Sequence, residues 1–360
     1  GNTPSRINKE LFNGTINWIS SGELKEHYIY STKERISQEA ANNLKLLSVG
    51  TFVIAIYGLE AEGVRGTGSI TQEPSTISQA CMAFTPKGEI TNEFLYSWYK
   101  KHGHVIGVKY AQGTKQQNLS YDILEKFKIS YPNVKEQDKL NLFFSLIDKR
   151  ISTQNKIIED LKKLKSAIIE IEYSSKTKTS SHIGDFIVQT SKRNKDNAIQ
   201  TVLSVSNRQG FIQQSEQFEN RCVASDDTSN YKIVERNDFA FNPARINVGS
   251  IARLITFEKG IVSPMYICFR TKGCATPEYL DYFFESKLFF TEIQKRLEGS
   301  VRQCLSYESL CNIPFPLLAI EVQQRIGKQL FTLAQKIKLE TDFLEILHKQ
   351  KQYLLRQMFI

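Results

Sequence analysis

The chain repeats itself at an offset of about 185 residues, and no other feature limits its possible folds as strongly. Ser78-Gln79-Ala80-Cys81-Met82-Ala83-Phe84 is echoed by Ser263-Pro264-Met265-Tyr266-Ile267-Cys268-Phe269, and Glu93-Phe94-Leu95 by Glu278-Tyr279-Leu280. Gln117-Asn118-Leu119-Ser120 is echoed by Gln303-Cys304-Leu305-Ser306, and Ile129-Ser130-Tyr131-Pro132 by Ile313-Pro314-Phe315-Pro316. The offset drifts by a few residues, as loop insertions cause. Within each copy, β-branched and aromatic runs such as Thr51 to Tyr57 and Met265 to Phe269 alternate with Gly/Asn/Ser loops. Helical patterns lie near Asn92–His102 and Pro277–Arg296. The expectation is an α+β unit present twice.

Each copy ends in a long helical pattern. From Asp138 to Tyr173, apolar residues fall at Phe144, Ile147, Ile151, Ile158, Leu161 and Ile168, widened by Phe143, Ile157, Leu164 and Ile171. From Glu321 to Met358 they fall at Leu330, Leu333, Ile337, Leu344, Leu347 and Leu354, flanked by Leu339, Ile346 and Tyr353. The two helices match at a fixed offset of 186, and their polar interruptions match too: Gln154 with Glu340, and Lys165 with Lys351. Polar groups in an apolar seam cost stability but fix register. Two helices of ~50 Å, paired antiparallel as a coiled coil, are therefore expected, with Phe144, Ile147, Ile151, Gln154, Ile158, Leu161, Leu330, Leu333, Ile337, Glu340, Leu344 and Leu347 packing them. The bland alternative is a pair of core helices in a larger bundle. Residues 174–181, a Ser/Thr/Lys run, read as a linker. The expected order is a globular unit (1–137), a central helix (138–173), the linker (174–181), a second unit (182–316) and a distal helix (317–360).

The 47 Lys and Arg exceed the 38 Asp and Glu, a net charge of +9, which suits a polyanionic partner. No apolar run reaches the ~18 residues of a membrane span. Gly1 to Glu10 has no basic segment followed by an apolar one, so a signal peptide is not expected and a cytoplasmic location is. Cys81, Cys222, Cys268, Cys274, Cys304 and Cys311 form no C-x-x-C pair, which argues against a structural zinc; buried free thiols are expected. Enzyme signatures are weak. Phe241-Asn242-Pro243-Ala244-Arg245 is similar to the Asn-Pro-Pro-aromatic turn of amino-methyltransferases, but lacks its second proline and its aromatic. Gly66-Thr67-Gly68 is a lone G-x-G, and the five histidines have no triad or metal spacing. Neither a catalytic residue nor a metal or cofactor site is expected.

What remains is polar loop chemistry. Arg pairs with guanine edges, Asn and Gln pair with adenine edges, and hydroxyls suit phosphates. The candidate DNA-binding residues are Thr3, Ser5, Arg6, Trp18, Ser20, Ser21, Lys115, Gln116 and Asn118 in the first copy. In the second they are Ser206, Asn207, Arg208, Asn242, Arg245, Asn247, Arg302 and Gln303. Lys115 and Arg302 occupy equivalent loops and are expected to grip phosphate, while Arg6, Arg208 and Arg245 are expected to approach base edges. For any one residue, a solvated turn is the competing reading.

The ordered set of these features resembles the specificity subunit of type I restriction–modification enzymes. It is carried by Gly1-Asn2-Thr3-Pro4-Ser5-Arg6, by Trp18-Ile19-Ser20-Ser21-Gly22-Glu23-Leu24, and by the Gly113 to Ser120 and Gly299 to Ser306 loops. Also part of it are Leu146-Ile147-Asp148-Lys149-Arg150-Ile151, Leu161-Lys162-Lys163-Leu164-Lys165 and the C-terminal Leu354-Leu355-Arg356-Gln357-Met358-Phe359-Ile360. The second copy opens with Ile183-Gly184-Asp185-Phe186, as domains of that family do. The first lacks the segment, so the chain is expected to start several residues inside the pattern. The resemblance implies two target recognition domains, each reading one half of a split double-stranded DNA target. The helices would serve as spacer and docking site for two modification subunits. S-adenosylmethionine, ATP and Mg are then expected on modification and restriction subunits, and this chain is expected to be non-catalytic. The competing classes are a methyltransferase with fused recognition domains and a coiled-coil scaffold that binds no DNA.

Overall fold

Residues 1–113, 115–174, 181–207, 209–214, 227–299 and 303–359 are described by the structure, a computed structural model, and the chain divides into two units. Unit one comprises Gly1–Asn155 and Asp342–Ile360; unit two is Lys156–Thr341.

In unit one, strands β1 (Ile16–Ile19), β2 (Tyr28–Ile29), β3 (Arg35–Ile36), β4 (Phe52–Ala55), β5 (Gly68–Thr71), β6 (Ser75–Ile77) and β7 (Cys81–Phe84) form two sheets. Their orders are β3-β1-β6 and β2-β5-β4-β7. The β4 run Phe-Val-Ile-Ala is buried at every position, as a strand covered on both faces requires. Helix α1 (Gln38–Asn42) lies between β3 and β4, and α2 (Asn92–Tyr110), α3 (Tyr121–Leu124) and α4 (Val134–Glu172) follow β7; Ser37 and Thr91 hydroxyls cap α1 and α2.

Unit two contains β8 (Ile187–Thr190), β9 (Val202–Ser206), β10 (Gly210–Gln213), β11 (Lys232–Glu235), β12 (Phe239–Phe241), β13 (Ile251–Arg253), β14 (Lys259–Val262) and β15 (Ile267–Thr271). Its sheets are β10-β9-β14-β11 and β13-β12-β15-β8. Its helices are α5 (Pro277–Phe283), α6 (Lys287–Arg296), α7 (Tyr307–Cys311) and α8 (Ile320–Met358). The repeat in sequence is a repeat in topology. β1 pairs parallel with β6 as β9 does with β14, and β4 lies antiparallel between β5 and β7 as β12 does between β13 and β15. One difference is that the helix following β7 is continuous, whereas its counterpart breaks at Ser286, whose hydroxyl caps α6.

The long helices are 39 residues each, about 58 Å. α4 begins at Val134, ahead of the expected Asp138, because Asn133 Oδ1 accepts from Glu136 N–H at 3.1 Å and caps the first turn. Within unit one the two helices run antiparallel. Phe144 meets Phe359 with ring centroids 5.5 Å apart, Asp148 takes the Lys351 ammonium, and Arg150 lies 5.3 Å from the Phe343 ring. Within unit two, Ile169 of α4 and Tyr173 just beyond its end share a core with Ile326 and Leu330 of α8. Phe144, Ile151, Gln154, Ile158, Leu330 and Leu347 are buried; Ile147, Leu161, Leu333, Ile337, Glu340 and Leu344 are half-buried. The widening stripe is exposed at Phe143, Ile157, Leu164, Ile171, Leu339, Ile346 and Tyr353. Of the thiols, Cys81 and Cys268 are buried. Cys274 is exposed and Cys304 and Cys311 are half-buried, a correction to the expectation; Cys222 lies outside the described residues.

Candidate nucleic-acid interface

In each unit a hairpin is seated on the loop that leaves the central strand. In unit one, Gln112 and Asn118 exchange backbone hydrogen bonds at 2.8 and 2.9 Å. Leu119 N–H then donates to Ile56 O at 2.8 Å, and Leu59 N–H to Gln117 O at 3.2 Å. In unit two, Glu298 and Cys304 exchange the same pair at 3.0 and 2.9 Å, and Leu305 N–H donates to Pro243 O at 3.1 Å. Gly113 and Gly299 open the hairpins with φ of +106° and +105°, a left-handed bend that a side chain would strain. Leu119 and Leu305, both fully buried, anchor the hairpins to their cores. The recurring Gly…Leu-Ser spacing is thus a loop with a fixed base in both units, and in unit one its described tip residues are exposed.

That tip carries Lys115 and Gln116, both exposed; Arg302 lies outside the described residues. Asn118 is a ladder residue whose Oδ1 is buried without a partner, and Gln303 is exposed. Arg245 is exposed on the 242–250 loop, with Asn247 half-buried beside it. Asn242 is a correction: it is buried, and its Oδ1 accepts from Ala244 N–H at 3.1 Å, so it builds the turn. Ser206 ends β9 half-buried, Asn207 is exposed and Arg208 is outside the described residues.

Near the N-terminus, Thr3 and Ser21 are half-buried and Ser5 is exposed. Trp18 is a second correction. It is 3% exposed, packs edge-on against Phe12 and donates its indole N–H to Asn2 O at 3.2 Å. Its area and its one donor are spent inside the unit. Ser20 N–H and Oγ–H both donate to Glu23 Oε2, at 2.9 and 2.8 Å, which closes a capping turn. Arg6 is exposed but forked onto Glu34 at 2.7 and 2.8 Å, and this pairing holds the Glu34 carboxyl below its ordinary range.

The structure also brings together two residues outside the candidate set. Arg65, on the β4–β5 loop, donates from Nη2 to Gln117 Oε1 at 2.5 Å. Among the described residues no group of three or more His, Cys, Asp or Glu could hold a metal ion, and no helix is long and apolar enough to cross a membrane.

Residues 1–163 match the family described as "Type I restriction modification DNA specificity domain". The specificity subunit of the type I restriction enzyme MjaIX of Methanocaldococcus jannaschii is 28% identical over 170 residues, which is 46% of this chain and 38% of that protein. The EcoR124I/EcoR124II specificity subunit of Escherichia coli is 28% identical over 166 residues, 45% of this chain and 40% of its own length. The matched segment thus spans about two fifths of either relative. A solved type I restriction–modification S subunit from M. genitalium shares the fold over 96% of this chain and 93% of its own, at TM-score 0.57 and 16% identity. A structure from a study of complex assembly and conformational transition in the type I system covers 95% of this chain and 90% of its own, at TM-score 0.59 and 13% identity. The first 163 residues are thus similar to a type I DNA specificity domain, and nearly the whole chain shares the fold of the solved S subunit.

Proposed function

We propose that this chain is the DNA-specificity subunit of a type I restriction–modification assembly, each unit reading one half of a bipartite target. The observation that carries the reading is the doubled topology, one copy of which lies in the matched specificity domain. Two weak readers on one chain gain affinity by effective concentration, so neither half-site needs to bind tightly alone. The net charge of +9 suits a polyanion, and exposed Lys115 on its hairpin and Arg245 on its loop supply cations. In this reading the chain selects the site and performs no bond-making step. Two modification subunits, bringing S-adenosylmethionine, engage the helices and recognition units; restriction subunits bring ATP and Mg; the assembly works in the cytoplasm.

The experiment is methylation mapping of genomic DNA from cells expressing the modification subunits with and without this chain. A bipartite motif that requires the chain is the expected result. Exchanging residues 182–316 for those of a relative should alter only one half of the motif. A motif that persists without the chain, or that changes in both halves on exchange, would overturn the assignment.

A further inference from the structure

We propose that Arg65 and Gln117 together read a guanine in the half-site of unit one, an inference that rests on the specificity reading above. Both side chains are half-buried and fixed from several sides. A β-carbon at Gly107 of α2 would come within 2.5 Å of Arg65 Cγ, so the bare glycine is the groove in which the arginine stem lies. The next residue, Gly66, has a φ of +72° and approaches α2 so closely that a β-carbon would sit 2.5 Å from His104 N. Gln117 is held through its backbone: its N–H donates to Glu60 Oε2 at 2.8 Å and its carbonyl accepts from Leu59 N–H at 3.2 Å. With the Arg65–Gln117 hydrogen bond in place, the rotamer freedom of both side chains is largely spent before DNA arrives.

The base preference follows from which atoms are used. A free glutamine offers one donor and one acceptor, the pattern that fits the adenine N6 and N7 edge. Here one of the two lone pairs of Gln117 Oε1 is taken by Arg65, so the two donors of its NH2 outnumber the acceptor capacity that remains. Arginine has donors alone. The combined face is therefore donor-rich, and guanine is the base whose major-groove edge sets two acceptors, N7 and O6, side by side. Adenine would oppose this face with its N6 amino group. In unit two, Arg245 and Gln303 occupy the corresponding loop and hairpin, both exposed, and no hydrogen bond joins them among the described residues. The pre-joined donor pair is described in unit one alone.

The test uses the full chain with its modification subunits and maps the methylated motif, the half belonging to unit one being the half left unchanged by the 182–316 exchange. Expected are a guanine at one position of that half and a 5- to 150-fold loss of preference there in Arg65→Ala, with other positions unchanged. Gln117→Glu replaces the free NH2 by a carboxylate oxygen while keeping the link to Arg65, and should relax the same position. It decides the matter should Arg65→Ala fail to assemble. Uniformly weaker methylation with the motif intact in both variants would overturn the inference and make Arg65 a phosphate or structural residue. A wild-type complex without any chain-dependent motif would instead overturn the specificity reading itself.

Discussion

Gln137 and Gln323, 186 residues apart, make the same four hydrogen bonds in their two units. Gln137 Oε1 accepts from Thr91 N–H at 2.9 Å and Thr91 Oγ at 3.1 Å, while its Nε2 donates to Glu89 O at 2.7 Å and Pro132 O at 2.8 Å. Gln323 Oε1 accepts from Thr276 N–H at 2.9 Å and Thr276 Oγ at 3.4 Å, and its Nε2 donates to Cys274 O at 2.9 Å and Leu318 O at 2.8 Å. Both glutamines are fully buried, and both threonines cap the helix that follows the sheet. One side chain thus ties the first turn of each long helix to the start of its unit's own helix. Replacing either by Leu strands two carbonyls and an N–H in the interior, which should cost about 3 kcal/mol. Urea denaturation of Gln137→Leu and Gln323→Leu measures this. A loss under about 0.5 kcal/mol would mean that water restores the bonds.

The same offset relates Tyr173 and Phe359 at the far ends of the helices. Tyr173 packs on Tyr279 with centroids 4.8 Å apart and donates its hydroxyl to Tyr279 O at 2.6 Å. Phe359 packs on Phe94 at 5.1 Å, and Lys101 Nζ bonds its carbonyl. Tyr173→Ala and Phe359→Ala should each cost about 3–5 kcal/mol as cavity-forming changes, and Tyr173→Phe about 1 kcal/mol. Thermal melts of the three variants check the ordering; equal losses for Tyr173→Phe and Tyr173→Ala would contradict it.

Asp281 predicts a pH dependence. It lies beside Arg253, with Nε to Oδ2 at 3.2 Å, yet burial pushes its carboxyl up to about 6, from an ordinary value of 3.8. Burial favours the protonated form in the folded state, so the native protein holds this proton longer than the unfolded chain does. Its contribution to stability is complete below pH ~4 and is lost as pH rises through 6. The Tm of the wild type relative to Asp281→Asn should therefore fall between pH 4.5 and 7. A constant difference over that window would reject the shift.

Lys115 stands exposed at the tip of its hairpin. As a phosphate contact, its removal should weaken binding about equally for all sequences and lower the salt-dependence slope by about one. Binding of the assembled complex to cognate and scrambled duplexes across a salt series decides it. An unchanged slope in Lys115→Ala would exclude the contact.

The large-scale plan was legible because period and repetition are written in residue type. The spacing of Phe144, Ile151 and Ile158 places them on one buried face, and the echoes between copies map onto equivalent strands. The site was less legible, for a physical reason. Polar residues in loops serve the backbone as readily as a ligand, and only tertiary partners distinguish the two. Asn242 and Ser20 build turns, and Trp18 fills a core. Arg65 has no echo in the second copy, because its loop between β4 and β5 is longer than the one between β12 and β13. The buried glutamines carried a signal, an identical residue at offset 186 ahead of the apolar stripe, but polarity near a helix start suggests exposure.

Unit one is assembled from two stretches of chain, 1–155 and 342–360, whereas unit two is one stretch, 156–341. Synthesis runs from the N-terminus, so the two units cannot mature in the order in which they begin. The β-sheets of unit one leave the ribosome first, but Leu355 and Phe359, which complete its core, leave after all of unit two. Unit two has its whole interior available earlier and can close while its predecessor still waits with an open apolar seat against Phe94 and Phe144. A chain truncated after residue 341 and released from the ribosome would therefore hold every core residue of unit two and lack those that close unit one.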